Sequence, residues 1–207
     1  MKQSKIDKFI RRYKGQGNDY SYKYLDEGIF WLCKKYSNHN NTEQVYAKVT
    51  MINQVYRANL QMSKSGAEWK LAEYLVKKNF DNIIAPLKSI KNFDEKTIDT
   101  IIRIHGMFVR LTRRALKKYA NSFCSKYLSF HFPKIIPIFD KRAYTTAWKL
   151  VGSELEDISF ERLINADYAY YCASILKLME YLKNKGIKKP NLKIIDVLLY
   201  DVMFDEI

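Results

Sequence analysis

Helical periodicity dominates the chain: in one segment after another between residues 40 and 204 the apolar side chains recur at steps of three and four, the spacing that lines one face of an α-helix. Val45, Val49, Ile52, Val55, Tyr56 and Leu60 form one such stripe, entered at Asn40 as N-cap with Glu43 in the capping-box position. A second covers residues 67–79 around Trp69, Leu71, Leu75 and Val76. A long one starts at Asn92 with Glu95 and runs through Ile98, Ile101, Ile102, Phe108, Leu111 and Leu116, with Gly106 as the place for a kink or a break. Three more follow: Ala143, Ala147 and Leu150 after Asp140, residues 167–184 closed by Gly186, and the tail from Leu192 to Phe204. Alternation of period two is confined to fragments such as Lys134 to Phe139, and the nearest thing to a disordered piece is Tyr13 to Asn18. Seven glycines and four prolines in 207 residues favour short connections, so the expected fold class is all-α. An apolar content of 47% suffices for one domain or two small lobes.

Charge is distributed unevenly along this helical chain. Residues 100–153 hold eleven Lys or Arg and a single acid, Asp140, which leaves +10 of the formal +14 in that segment. A local concentration of this kind is the electrostatic footprint expected for a polyanion such as nucleic acid, and the plainer reading is a solvated basic helix face. Other classes drop out. No secretory leader or membrane-length apolar run is seen, so the chain reads as cytoplasmic. Cys33, Cys124 and Cys172 are widely spaced and read as reduced core thiols. The three histidines stand far apart, no glycine-rich phosphate loop or Gly-x-Ser-x-Gly elbow is present, and one carboxylate in a basic segment is too few to hold a nuclease metal.

Two residues carry the chemical question. Asp140 follows Pro137-Ile138-Phe139 and precedes a helical run, which suits an N-cap; the same placement holds a carboxylate still beside whatever the basic segment binds. Lys126 opens onto the apolar stretch Tyr127, Leu128, Phe130 and Phe132. An amine in apolar, electropositive surroundings has a lowered pKa and becomes a nucleophile, whereas on base rates it is a phosphate-neutralising lysine. His131, set among aromatics in Ser-Phe-His-Phe-Pro, reads as structural or as a substrate contact.

The segments Ser125-Lys126-Tyr127-Leu128 and Pro137-Ile138-Phe139-Asp140-Lys141-Arg142-Ala143 resemble the active-site stretch of the helix-hairpin-helix (HhH-GPD) DNA glycosylase superfamily. The likeness covers about thirty residues. It implies a two-lobed all-helical domain over 1–207 with a central cleft, in which residues 1–90 and the C-terminal helices make one lobe and 91–153 the basic hairpin-type DNA-binding and active-site segment. It implies a glycosylase that flips a damaged or modified base out of double-stranded DNA, in base-excision repair or antiviral defence, with or without abasic-site lyase activity. Carried over by position, Asp140 is the catalytic acid and Lys126 the attacking amine, while Tyr56, Tyr127, His131, Tyr144 and Trp148 lie nearest the base. Arg110, Arg113, Arg114, Lys141 and Arg142 meet phosphates; where the superfamily has Gly-x-Gly, Asn121 and Ser122 take over that contact. No cofactor, metal or membrane is implied, and the chain is expected to be a monomer. The alternatives are a non-catalytic nucleic-acid-binding module and an adaptor for an acidic protein.

Overall fold

Each apolar stripe becomes a helix in the computed structural model, which describes residues 2–15, 23–58, 60, 66–155, 159–160 and 162–204; among these no strand occurs. Two helices precede the first stripe, α1 (Lys2–Gly15) and α2 (Lys23–Lys35). Then come α3 (Thr42–Val55), α4 (Ala67–Lys77), α5 (Phe80–Ile84) with a 3-10 turn at Ala85–Ser89, α6 (Ile98–Leu116), α7 (Asn121–His131), α8 (Lys141–Val151), α9 (Ala166–Asn184) and α10 (Leu192–Phe204). Within the expected Tyr13–Asn18 piece, residues 16–18 lie outside the described residues. No described helix is long and apolar enough to cross a membrane.

Local hydrogen bonding moves several boundaries from where periodicity alone puts them. The N-cap of α3 is Asn41, not Asn40: its backbone is extended and its side-chain oxygen accepts the Gln44 N–H at 2.8 Å. That helix stops at Val55, because Tyr56 is its C-cap and Arg57 turns into the left-handed region at φ 45°. Asn92 and Glu95 do not start α6. Asp94 instead closes a turn on the N–H groups of Lys96 and Thr97, at 3.1 Å each, and the helix begins at Ile98. It then runs through buried Gly106 as one helix. Gly186 closes α9 as expected: at φ 90° it lets Ile187 N–H reach Leu182 and its own N–H reach Lys183.

The chain divides into two compact units, Met1–Ser21 with Pro137–Ile207, and Tyr22–Ile136. In the first, α1, α8, α9 and α10 pack together over Ile6, Phe9, Leu150, Tyr168, Tyr171, Ile175, Ile195 and Leu198. In the second, α7 is the central element, touching α2, α3 and α6. All eight residues from Phe123 to Phe130 are buried, the polar Ser125, Lys126 and Ser129 included. A helix covered on every side shows no apolar stripe, which is why its sequence reads as mixed. Ser125 satisfies its hydroxyl on the Ser122 carbonyl at 2.9 Å.

The largest electrostatic demand on this unit is Lys48 of α3, whose side chain is fully buried. Its ammonium donates to the carbonyls of Tyr36 and Asn38, at 2.7 and 3.1 Å, just past the C-terminal end of α2, where the helix dipole favours a cation. Desolvation lowers its pKa to about 8. Lys48→Met keeps the bulk of the stem and strands both carbonyls, so the expected cost is about 2–4 kcal/mol, read from the midpoint of chemical denaturation.

Candidate functional site

In the second unit the earlier part of the basic segment, residues 100–131, becomes a helical hairpin. The exposed face of α6 carries Arg103, Arg110, Arg113 and Arg114, while Ile101, Ile104, His105, Phe108 and Leu111 face inward. The helix ends at Lys117, whose left-handed backbone (φ 59°) returns its N–H to the Arg113 carbonyl at 2.8 Å. Three residues later α7 starts at Asn121, and Asn121 and Ser122 are half-buried at its head. The N-cap Ala120 has no side chain to offer the first-turn amides. Behind the hairpin, the His105 imidazole bonds the Asn121 carbonyl at 3.1 Å and so ties α6 to the first residue of α7. Arg113 lies over the ring of Tyr119, with Cζ 4.6 Å from the centroid.

Lys126 sits within α7 at 5% exposure. Its amine lies 3.5 Å from the Tyr56 carbonyl and over the Tyr56 ring, and the Tyr56 hydroxyl in turn bonds the Asp26 carboxylate. Lys126 and Tyr56 are thus brought together, the lysine held against the end of α3. Tyr127 points the other way, into the core. Its fully buried ring lies among those of Phe80, Phe108, Phe123, His39 and His131, with centroids 5.1–6.2 Å away. His131 stacks against His39 at 4.9 Å. His39 is gripped twice by Asp81, which accepts its backbone N–H and its Nδ1–H at 2.8 Å each. Burial pushes the Asp81 carboxyl up, but these bonds outweigh it and hold the group below its ordinary value. Sequence reasoning missed the buried Lys48 and His39 and the half-buried Asp81 that holds His39. A signal existed for Lys48 alone, since it shares the stripe of Val45, Val49 and Ile52.

In the first unit, Asp140 is the N-cap of α8. Its backbone is extended, one carboxylate oxygen accepts the Arg142 N–H at 2.9 Å, and the residue is half-exposed. The approach to it is clamped: Pro137 is buried with its carbonyl 3.5 Å from the Tyr168 hydroxyl, and Phe139 is wedged among Tyr144, Tyr168 and Tyr171. Asp140, Tyr144 and Trp148 follow one another at steps of four along α8, with Lys141 and Arg142 exposed beside them. Trp148, 38% exposed, contacts Tyr170 edge-on at 5.6 Å, and Tyr170 meets Phe160 at 5.1 Å. The Trp148 ring also lies over Gly152, where an added Cβ would come within 2.7 Å of it. Among the described residues no three His, Cys, Asp or Glu side chains gather as metal ligands. The cysteines are buried and free, and burial pushes each thiol up.

An all-helical protein with a basic helical hairpin and a carboxylate at a helix head is the class these features define. Over residues 5–135 the chain matches HI_0787_N, described as an N-terminal domain. That span exceeds half of the 207 residues, and the chain belongs to this family. The match ends one residue short of Ile136, the last residue of the second unit, so it includes the hairpin and Lys126 but not Asp140, Tyr144 or Trp148. No curated protein and no solved structure matches the chain at a significant level.

All three histidines are neutral in the folded protein. Burial, reinforced by the Lys48 charge, lowers His39 to about 4 despite its bond to Asp81. Burial lowers His105 to about 3 and takes His131 well below 6.5. Because these folded values lie below the unfolded value of about 6.5, the unfolded chain binds more protons there. Stability is therefore full above pH 6.5 and falls as the pH drops toward 4 and below. Thermal melts from pH 7.5 to pH 4.5 should show Tm decreasing steadily below 6.5, and His105→Gln should flatten part of that decrease.

Proposed function

We propose that this chain is a DNA glycosylase of the two-lobed helix-hairpin-helix type, removing a modified base from duplex DNA with Asp140 as its catalytic carboxylate. The observation that carries the reading is Asp140 itself: an acid in a segment otherwise basic, held at a helix head by one oxygen and half-exposed. A fixed negative charge is what a developing sugar cation requires, because no reorganisation is then needed as the charge appears. Within the first unit Lys141 and Arg142 supply phosphate contacts, and Tyr144 and Trp148 supply aromatic faces on the same helix as the acid; the second unit has its own exposed arginines on α6.

In the step we assign, the N-glycosidic bond breaks and its electron pair leaves with the base. The oxocarbenium sugar is stabilised by the Asp140 carboxylate. Water then adds to the sugar carbon and gives its proton to that carboxylate, which passes it to the departed base, leaving an abasic site and the carboxylate restored. The placement of Lys126 favours water over the amine as nucleophile, since the residue is buried and its amine is turned to the Tyr56 carbonyl. A second reading has its own support: the bond from Arg142 N–H already accounts for an acid at this position, which suits a nucleic-acid-binding module with no chemistry.

Asp140→Asn separates the two, because asparagine caps a helix as well as aspartate and leaves the fold intact. Against duplexes each carrying one modified base, the variant should keep its affinity and lose base release by about a hundredfold or more. Borohydride should trap no covalent complex with the parent chain. Release at the parent rate by Asp140→Asn, or salt-dependent binding without release by the parent, would install the binding module instead.

A further inference from the structure

Tyr119 stands in the connection between α6 and α7, 49% exposed, in a stretch that has basic residues on both sides and no acid between residues 100 and 139. A lone exposed tyrosine needs no explanation. This one differs in how it is held. Lys117 fixes the start of the connection through its left-handed backbone and its bond to Arg113, and His105 fixes the end through the Asn121 carbonyl. Thr112 and Cys124 add a contact at 3.8 Å between the two helices. Between these anchors the Arg113 guanidinium covers one side of the Tyr119 ring. An aromatic ring presented on a rigid loop loses little conformational freedom on binding, and an arginine stacked on one face leaves the other for a partner.

The surrounding charge says what that partner is. Arg110, Arg114, Lys117 and Tyr119 are all exposed around the connection, with Lys118 half-buried among them, so a phosphate backbone is drawn to it. A ring at the centre of such a patch finds its own complement in a base face, and in paired DNA the base faces are covered by their neighbours. They become available where a pair is opened.

We infer that Tyr119, braced by Arg113, stacks on a base exposed by local opening of duplex DNA, so that the α6–α7 hairpin recognises distorted duplex in preference to fully paired duplex. This assignment rests on the reading of the chain as a DNA-binding protein and adds to it a contact that is not electrostatic.

Salt dependence tells the two kinds of contact apart. Fluorescence anisotropy with the full chain would compare a fully paired duplex and the same duplex with one central mismatch, at several salt concentrations. The parent should bind the mismatched duplex more tightly. Tyr119→Ala and Tyr119→Leu should weaken that complex about tenfold, within the range of one base–aromatic stack, with the slope of log affinity against log salt unchanged. Tyr119→Phe should bind like the parent, and Arg113→Ala should lower the slope by about one. Thermal melts establish that each variant is folded. If Tyr119→Ala and Tyr119→Leu keep the mismatch preference, or the parent shows none, the stacking assignment is wrong while the DNA-binding reading stands. Salt-insensitive or absent binding to both duplexes would remove that reading as well, and tighter binding to RNA of the same sequence would overturn the choice of partner.

Discussion

A desolvated ammonium sets the terms for the larger unit. Lys48 enters a core of aromatic and aliphatic side chains, and among the described residues two carbonyls at the end of α2 accept from its ammonium. Losing water costs an ammonium several kcal/mol, so those carbonyls have to be in place whenever the unit is folded. The chain from Tyr36 to His39 is thereby pinned against α3, and burial, reinforced by the same charge, favours the neutral form of the neighbouring imidazoles of His39 and His131. Tyr127 lies against both rings, 5.8 and 5.1 Å from their centroids, with the Lys48 ammonium 6.0 Å from its own ring. Helix α7 is held from inside by that ring and from outside by its neighbours.

The functional consequence lies at the two ends of α7. Its head forms one side of the basic hairpin and is followed by Phe123 and Tyr127, which the core encloses completely. Its middle turns the Lys126 amine toward α3, away from the role a nucleophile would need. Beyond its tail the chain leaves the second unit at Ile136, and four residues on Asp140 heads α8 in the first. The basic hairpin and the acid at the head of α8 therefore belong to separately packed units that follow one another in sequence.

Helix content was legible because apolar spacing is a one-dimensional property, and every stripe from Val45 to Val202 became a helix. Boundaries were less so. Asn40 and Asn41 are equivalent to a pattern, and only backbone angles select the second; Asp94 displaces Asn92 because its oxygen reaches two amides at once. Asp140 could be placed at a helix head from Pro137 and the run that follows, since capping is local. Lys126 could not be placed, because the direction of a side chain on a fully buried helix depends on neighbours distant in sequence, here Tyr56 seventy residues earlier. The pairing of His39 with Asp81 is of the same kind, as is the stacking of Phe160 and Tyr170 beside Trp148.

Gly152 illustrates a different sort of necessity. Its backbone angles, φ −57° and ψ −35°, suit any residue, so nothing about the turn itself calls for glycine. What excludes a side chain is the indole of Trp148, which occupies the space a methyl group would fill. The glycine thus serves as a seat for the ring, and the orientation of an aromatic one turn of helix away is encoded in an atom that is missing. A single added carbon would act as a wedge on that indole while leaving every polar group of α8 untouched.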